Sequence, residues 1–355
     1  LNIEIVLLYE GGKLIVQEDE QMSTAKEILM ELLKKDGQPE RLLKQYEPFE
    51  QIMTDPINQY CRGNRKRGVT SYDKWGTCIL FPEDAPGPMP HVTDENKVCP
   101  DVTEWKKYVK VPDLQANCSE GWEDTIKLRD EIRERGHLAM AFMGTGIFEQ
   151  CHYLMGFEDA LMNLLAEPEA MHELVDAIAE YRFTYAKMLV DNLHPDVILS
   201  HDDWGSKNSL FMSPDTWREF FKEHYRRIYG YMKENGVIVM HHADSYCEPI
   251  VEDMAEIGID IWQGVLPSND IPAMQKKLDG RMVLMGGIDA AIVDRADSTE
   301  EEIRREVRRA CDEYAPGGHF IPSLTYGGKD YGIYPNVDKT IDDEIGRFNK
   351  EHYGK

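Results

Sequence analysis

"VIVMHHADSYCEP", residues 237–249, is the stretch on which the fold turns. Val237 to Met240 is apolar and rich in β-branched residues, as in a strand buried on both faces. His241, His242 and Asp244 then arrive where that strand should end, with Ser245, Tyr246 and Cys247 close behind. Titratable groups at the tip of a buried strand are costly unless the tip opens on a site.

Working outward, the same pattern recurs. "DVILSH" (196–201) reads as a strand, and 213–236 as a helix with Ser213 as N-cap, Pro214 in its first turn and Gly236 as its stop. "EPIVEDMAEIG", "NDIPAMQKKLDG" and "STEEEIRREVRRACDEYAPGG" read as helices, interleaved with the strands "IDIWQG", "MVLMGGID" and "HFIPSL". Upstream, "HLAMAFMGTG" (137–146) is another strand, and 157–192 is helical with one break at 167–169. Serial βα units give a parallel sheet, and no GxGxxG follows a strand. A (β/α)₈ TIM barrel is therefore expected, with its chemistry where strands end. Five strand ends are polar: "SHDDWG" (200–205), "HHADS" (241–245), "WQG" (262–264), "GGID" (286–289) and "SLTYGG" (323–328). Residues 1–70 read as a helical N-terminal extension and 71–355 as the catalytic domain. The Pro/Gly-rich segment 72–91 could cover the barrel mouth.

Composition sets the outer bounds. The chain has 355 residues, 42% of them hydrophobic, and carries a net charge of -25. That charge disfavours nucleic acid, anionic membranes and heavily carboxylated substrates. No segment is apolar over the roughly 18 residues a membrane span needs. No signal peptide is visible, and Met22 reads as an alternative start. Seven cysteines without CxxC spacing point to free thiols and a cytoplasmic home.

"DDWGSKNSLFMSPDTWREFF", the His-x-Asp of "HHADS", "GGID" and "FIPSLTYG…GIYPNVD" together resemble the uroporphyrinogen decarboxylase superfamily over most of 130–345. Within it, the decarboxylases have an arginine-rich N-terminal loop, whereas this chain offers "CRGNRKRG" (61–68) and has Tyr326 where they have histidine. The methylcobamide:coenzyme M methyltransferases carry zinc on His-x-Cys plus a distant Cys. Here those positions read His242-x-Asp244, with the distant one near Leu324. The chain is most similar to the corrinoid-dependent O-demethylase methyltransferases of anaerobes. That resemblance implies transfer of a methyl group from a small aromatic methyl ether to Co(I) on a separate corrinoid protein. No Asp-x-His of a corrinoid carrier occurs in the chain, so the corrin should come from that partner. A homodimer is left open.

Cleaving an aryl ether needs an acid or Lewis acid near the oxygen. The candidates are His242, Asp244, Asp203 and Tyr326, with His242 chosen over His241 because strand alternation puts it on the same face as Asp244. Asp202 or Asp203 could instead cap the following loop, and Tyr326 could simply pack. Trp75, Phe148, Trp204 and Trp262 could line a substrate site, joined by Glu149, Asp202 and Asp289 at strand ends. Glu149 fits the mouth or a helix's first turn equally. If zinc is bound, His242 and Asp244 are the expected ligands. Glu158, Glu173 and His194 match a Glu-x14-Glu-x20-His zinc pattern ascribed to these O-demethylases. A single helix from 169 to 192 would hold Glu173 and His194 about 30 Å apart, beyond the reach of one ion.

Overall fold

The computed structural model describes residues 4–10 and 13–19 as backbone, and 23–63, 66–83, 87–326 and 333–355 in full. Seven strands form its central sheet: β1 (Phe49–Ile52), β2 (Leu138–Met143), β3 (Val197–His201), β4 (Ile238–His242), β5 (Ile261–Val265), β6 (Val283–Ile288) and β7 (Phe320–Leu324). They lie side by side in chain order, each parallel to its neighbour. Helices pack outside, including Pro168–Met188, Glu223–Glu234, Glu300–Tyr314 and Val337–His352. This is a TIM barrel.

Eight strands were expected, and seven are assigned among the described residues. Between β7 and β1 the seam is held by Gln45. Its backbone N–H donates to the Pro322 carbonyl (3.3 Å), and its side-chain oxygen accepts from Leu324 N (3.2 Å). An irregular segment thus satisfies backbone groups that an eighth strand would otherwise pair.

The stretch 1–70 also differs from the helical extension expected. It holds the helices Ala25–Leu32 and Pro56–Cys61, but also an antiparallel pair, Glu4–Glu10 with Lys13–Asp19, and β1 itself. "FEQI" is too short, and too polar in its middle, to announce a strand; its pairing with β2 fixes it. Met22 lies outside the described residues.

Alternation divides the core in two. Phe49, Leu138, Met140, Phe142, Val197, Leu199, Met240, Ile261, Val283, Met285 and Ile321 fill the barrel interior, while Ala139, Ile198, Val239, Trp262 and Leu284 pack outward against the helices. The interior cluster also takes in Ile28, Leu29 and Leu32 of helix Ala25–Leu32. That helix starts in a Thr24–Glu27 capping box, and its Leu32 carbonyl meets His319 Nδ1, just before β7, at 2.8 Å. The helix therefore plugs the end where the strands begin. No helix among the described residues is long and apolar enough to cross a membrane.

Leu29 is fully buried in this plug. Leu29→Ala should cost about 2–5 kcal/mol. A urea titration would show a lower midpoint with an unchanged slope; an unmoved midpoint would mean the plug is not part of the cooperative core.

Candidate functional site

The ends of β3 and β4 carry the same word, His-x-Asp: His201-Asp202-Asp203 and His242-Ala243-Asp244. The two strands pair in register with His201 opposite His242, so the repeat places both imidazoles side by side at the mouth. Their rings stack with centroids 4.5 Å apart and planes 28° from parallel.

Each ring is aimed by a second residue. His242 Nδ1 lies 2.5 Å from Gln263 Oε1. Gln263 spends its amide N–H groups on the carbonyls of Tyr326 (2.9 Å), Thr325 (3.3 Å) and Leu324 (3.4 Å). Its oxygen is therefore the acceptor, and His242 Nδ1 must donate. That leaves Nε2 as a lone pair facing the mouth. Burial, then the neighbouring His201, pushes His242 down to about 3, so it stays neutral. A bulge at Gly264 (φ +98°) follows Gln263 at the end of β5. A Cβ there would lie 2.8 Å from the Ala243 carbonyl oxygen, so only glycine lets β5 approach β4 so closely.

His201 has the opposite partner. Its Nδ1 lies 2.9 Å from Glu149 Oε2, which also accepts from Gly146 N at 3.0 Å as the capping carboxylate of helix Ile147–Met155. Burial opposes both charges, yet their attraction and hydrogen bond prevail: His201 rises to about 9 and Glu149 falls to about 2. Glu149 thus holds both positions left open by its sequence, first turn and mouth.

Asp203 and Asp244 complete the cluster. The Asp203 Oδ1 accepts from Asp244 N at 3.1 Å. Burial, then the facing Asp244, holds Asp203 well above the usual carboxylate range, and burial raises Asp244 to about 6. Donor atoms of His201, Asp203 and His242 all lie within 4.8 Å of one another. Among the described residues this is the one group of three or more such side chains able to share an ion.

Asp202 belongs to the wall and not the mouth. Its carboxylate accepts from Phe148 N (3.1 Å), Glu149 N (2.9 Å), Trp204 Nε1 (2.9 Å) and Tyr225 Oη (2.5 Å). It caps helix Ile147–Met155 from the neighbouring strand. A Cβ on Gly146 would lie 1.9 Å from its Cγ, so that helix can begin there only with glycine. His241 also faces outward, 2.8 Å from Tyr229 Oη and stacked on Trp204 (4.1 Å).

The aromatic candidates pack against other side chains of the protein. Phe148 packs among Phe211, Phe221 and Phe157; Trp262 donates to the Ala243 carbonyl on the outer face; Trp75 lies edge-on to Tyr181. Asp289 caps the short helix Ala290–Val293. Tyr326 reaches the site through its main chain, whose carbonyl orients Gln263, while its hydroxyl bonds Asp294. Glu173 is paired with Lys106 (2.7 Å), and His194 ends the helical run that starts at Pro168. Glu158, Glu173 and His194 do not form a shared site. His201 and Gln263 were missed by the sequence reading. The repeated His-x-Asp was the available signal for His201; a neutral glutamine offers none.

The family model for uroporphyrinogen decarboxylase (URO-D) matches residues 74–338. The chain belongs to that family. A uroporphyrinogen decarboxylase from Cellvibrio japonicus (strain Ueda107) is 26% identical over 192 residues, 51% of this chain and 48% of that one. The chain thus spans about half the length of the curated relative it matches. A methyltransferase from Methanosarcina mazei superposes with a TM-score of 0.59 at 17% identity, covering 85% of this chain and 81% of that one. This second likeness is one of fold.

Two neighbouring aspartates should behave oppositely on substitution. Asp202→Ala strands four donors and should cost about 3–5 kcal/mol. Asp203→Asn relieves a carboxylate crowded by another and should leave stability within about 1 kcal/mol of the parent or raise it. Equal losses in urea denaturation would contradict the separation of wall from mouth.

Proposed function

We propose that this chain is a methyltransferase that takes the methyl group of an aryl methyl ether and transfers it to Co(I) of a separate corrinoid protein. The observation that carries the reading is the paired His-x-Asp at the barrel mouth, set in a URO-D family chain. There the charged His201 and the Asp203 carboxyl, held well above the usual carboxylate range, can donate to a neutral ether oxygen. The net charge of -25 would repel the several carboxylates of a porphyrinogen. The decarboxylase reading is disfavoured for this reason.

The chemistry follows from the leaving group. The methyl carbon accepts an electron pair from the acceptor cobalt, which goes from Co(I) to methyl-Co(III). The carbon–oxygen bond breaks with its electrons on the phenol oxygen, and one proton completes the phenol. Asp244, beside Asp203 at the mouth, is the residue we assign to give that proton. His201, charged beside Glu149, is the ring that can donate its Nε2–H to the oxygen, and the neutral His242, stacked on it, holds that ring in place. Gln263 and Glu149 keep both rings from turning.

The direct test is purified chain with a reduced corrinoid protein and guaiacol-type ethers, following methyl-cobalt by absorbance. His242→Ala and Asp244→Ala should each lower the rate by about 10²–10⁴-fold with unchanged circular dichroism. Full activity in either variant at saturating corrinoid protein would remove that residue from the mechanism. Turnover of a methoxyarene by this chain with no corrinoid present would overturn the reading.

A further inference from the structure

We propose that His201, Asp203 and His242 bind a zinc-class divalent cation at the barrel mouth, with Glu149 and Gln263 as the outer groups that aim the two imidazoles. Its catalytic meaning rests on the function proposed above; the site itself stands on geometry. The three donors come from two adjacent strand ends and already lie within 4.8 Å of one another. Tetrahedral zinc holds its donors roughly 3.4 Å apart, so closure needs movements on the order of an ångström.

The orientation of the rings is the independent observation. Metal-bound histidines as a rule give their second ring nitrogen to a carboxylate or carbonyl-type oxygen. Here both do so: His201 Nδ1 to Glu149 and His242 Nδ1 to Gln263, with those two partners only 6% and 0% exposed. Both Nε2 atoms are left for a ligand, the one on His201 once the incoming ion displaces its proton. Structural histidines in this same protein look different. His241 has both nitrogens engaged, one by Tyr229 Oη and one by the Asp202 carbonyl.

Charge and access agree with the geometry. Glu149, Asp203 and Asp244 surround two imidazoles, an excess of carboxylate that a divalent ion would neutralise. The His201 side chain is 25% exposed, so the cluster has an entry path. Two imidazoles and one carboxylate make a catalytic zinc set with a fourth position open. All seven cysteines are buried as free thiols, and none joins the cluster. A site without thiolate is harder, and better matched to an ether oxygen than to a sulfur substrate. The ion would polarise that oxygen as a Lewis acid.

The test uses the full chain stripped with chelator, then titrated with Zn²⁺ by calorimetry and with Co²⁺ by visible absorption. One ion per chain is expected, with a Co²⁺ spectrum lacking thiolate charge-transfer bands. His201→Ala and His242→Ala should weaken Zn²⁺ binding at least about 100-fold, and Gln263→Leu by about 10–100-fold. Glu158→Gln and Glu173→Gln should bind as the parent does. Thermal melts of the stripped proteins check folding; if a ligand variant is unfolded, Gln263→Leu decides. Parent-like affinity in the folded histidine variants, or in Gln263→Leu, would overturn the site, as would tighter binding of Fe²⁺ than Zn²⁺. Zn²⁺ binding without ether turnover would leave the site standing and remove the function. Methyl transfer by a chain that binds no Zn²⁺ would do the reverse.

Discussion

Parallel strands paired in register give their side chains no choice of neighbour. Because His201 sits opposite His242, two imidazoles must share one end of the barrel at stacking distance. Two protonated rings that close would repel, so the pair has to be asymmetric. The second partners supply that asymmetry. A carboxylate, Glu149, lies against one ring and favours its charged form, whereas a neutral amide, Gln263, lies against the other. The remaining features around the mouth serve to keep those two partners in place.

Glu149 is fixed by the start of its helix, and that start is fixed by Asp202, which follows His201 just past the end of β3 and faces the other way. Behind Asp202 lies a wall of bonded side chains. Tyr225 reaches its carboxylate; Tyr229 joins Ser200 to His241; and the buried Arg182 holds Ser200 and the carbonyls of Gly144 and Thr145 at the end of β2. One residue of each strand end therefore faces the chemistry while the next secures the wall. Gln263 is fixed from the other side, by carbonyls following β7 and by the Gly264 bulge.

Much of the barrel was legible because buried parallel strands are apolar runs and helices have caps. The strands read at 137–146, 196–201 and 237–242 all occur, as do the Ser213 cap and a helix break at Glu167. β1 escaped because "FEQI" takes its conformation from a partner 89 residues away in sequence, beyond any local pattern. At the site, alternation correctly separates His242 from His241. The same rule, applied to β5, turns Trp262 outward and Gln263 inward. Size and apolar character, which mark the aromatic candidates, describe a good packing residue equally well. Gln263 carries no charge and titrates nowhere, and its importance comes wholly from what its two ends touch.

The plug formed by Ala25–Leu32 makes the barrel a vessel with one opening. Under the proposed function, small molecule and protein partner would share that one door. Whichever enters first lies beneath, and a protein seated across the strand ends shuts in whatever is already there. Traffic through such a site is serial: the small guest arrives before the cover and departs after it. Queueing would then be a property of the architecture and not of any single side chain.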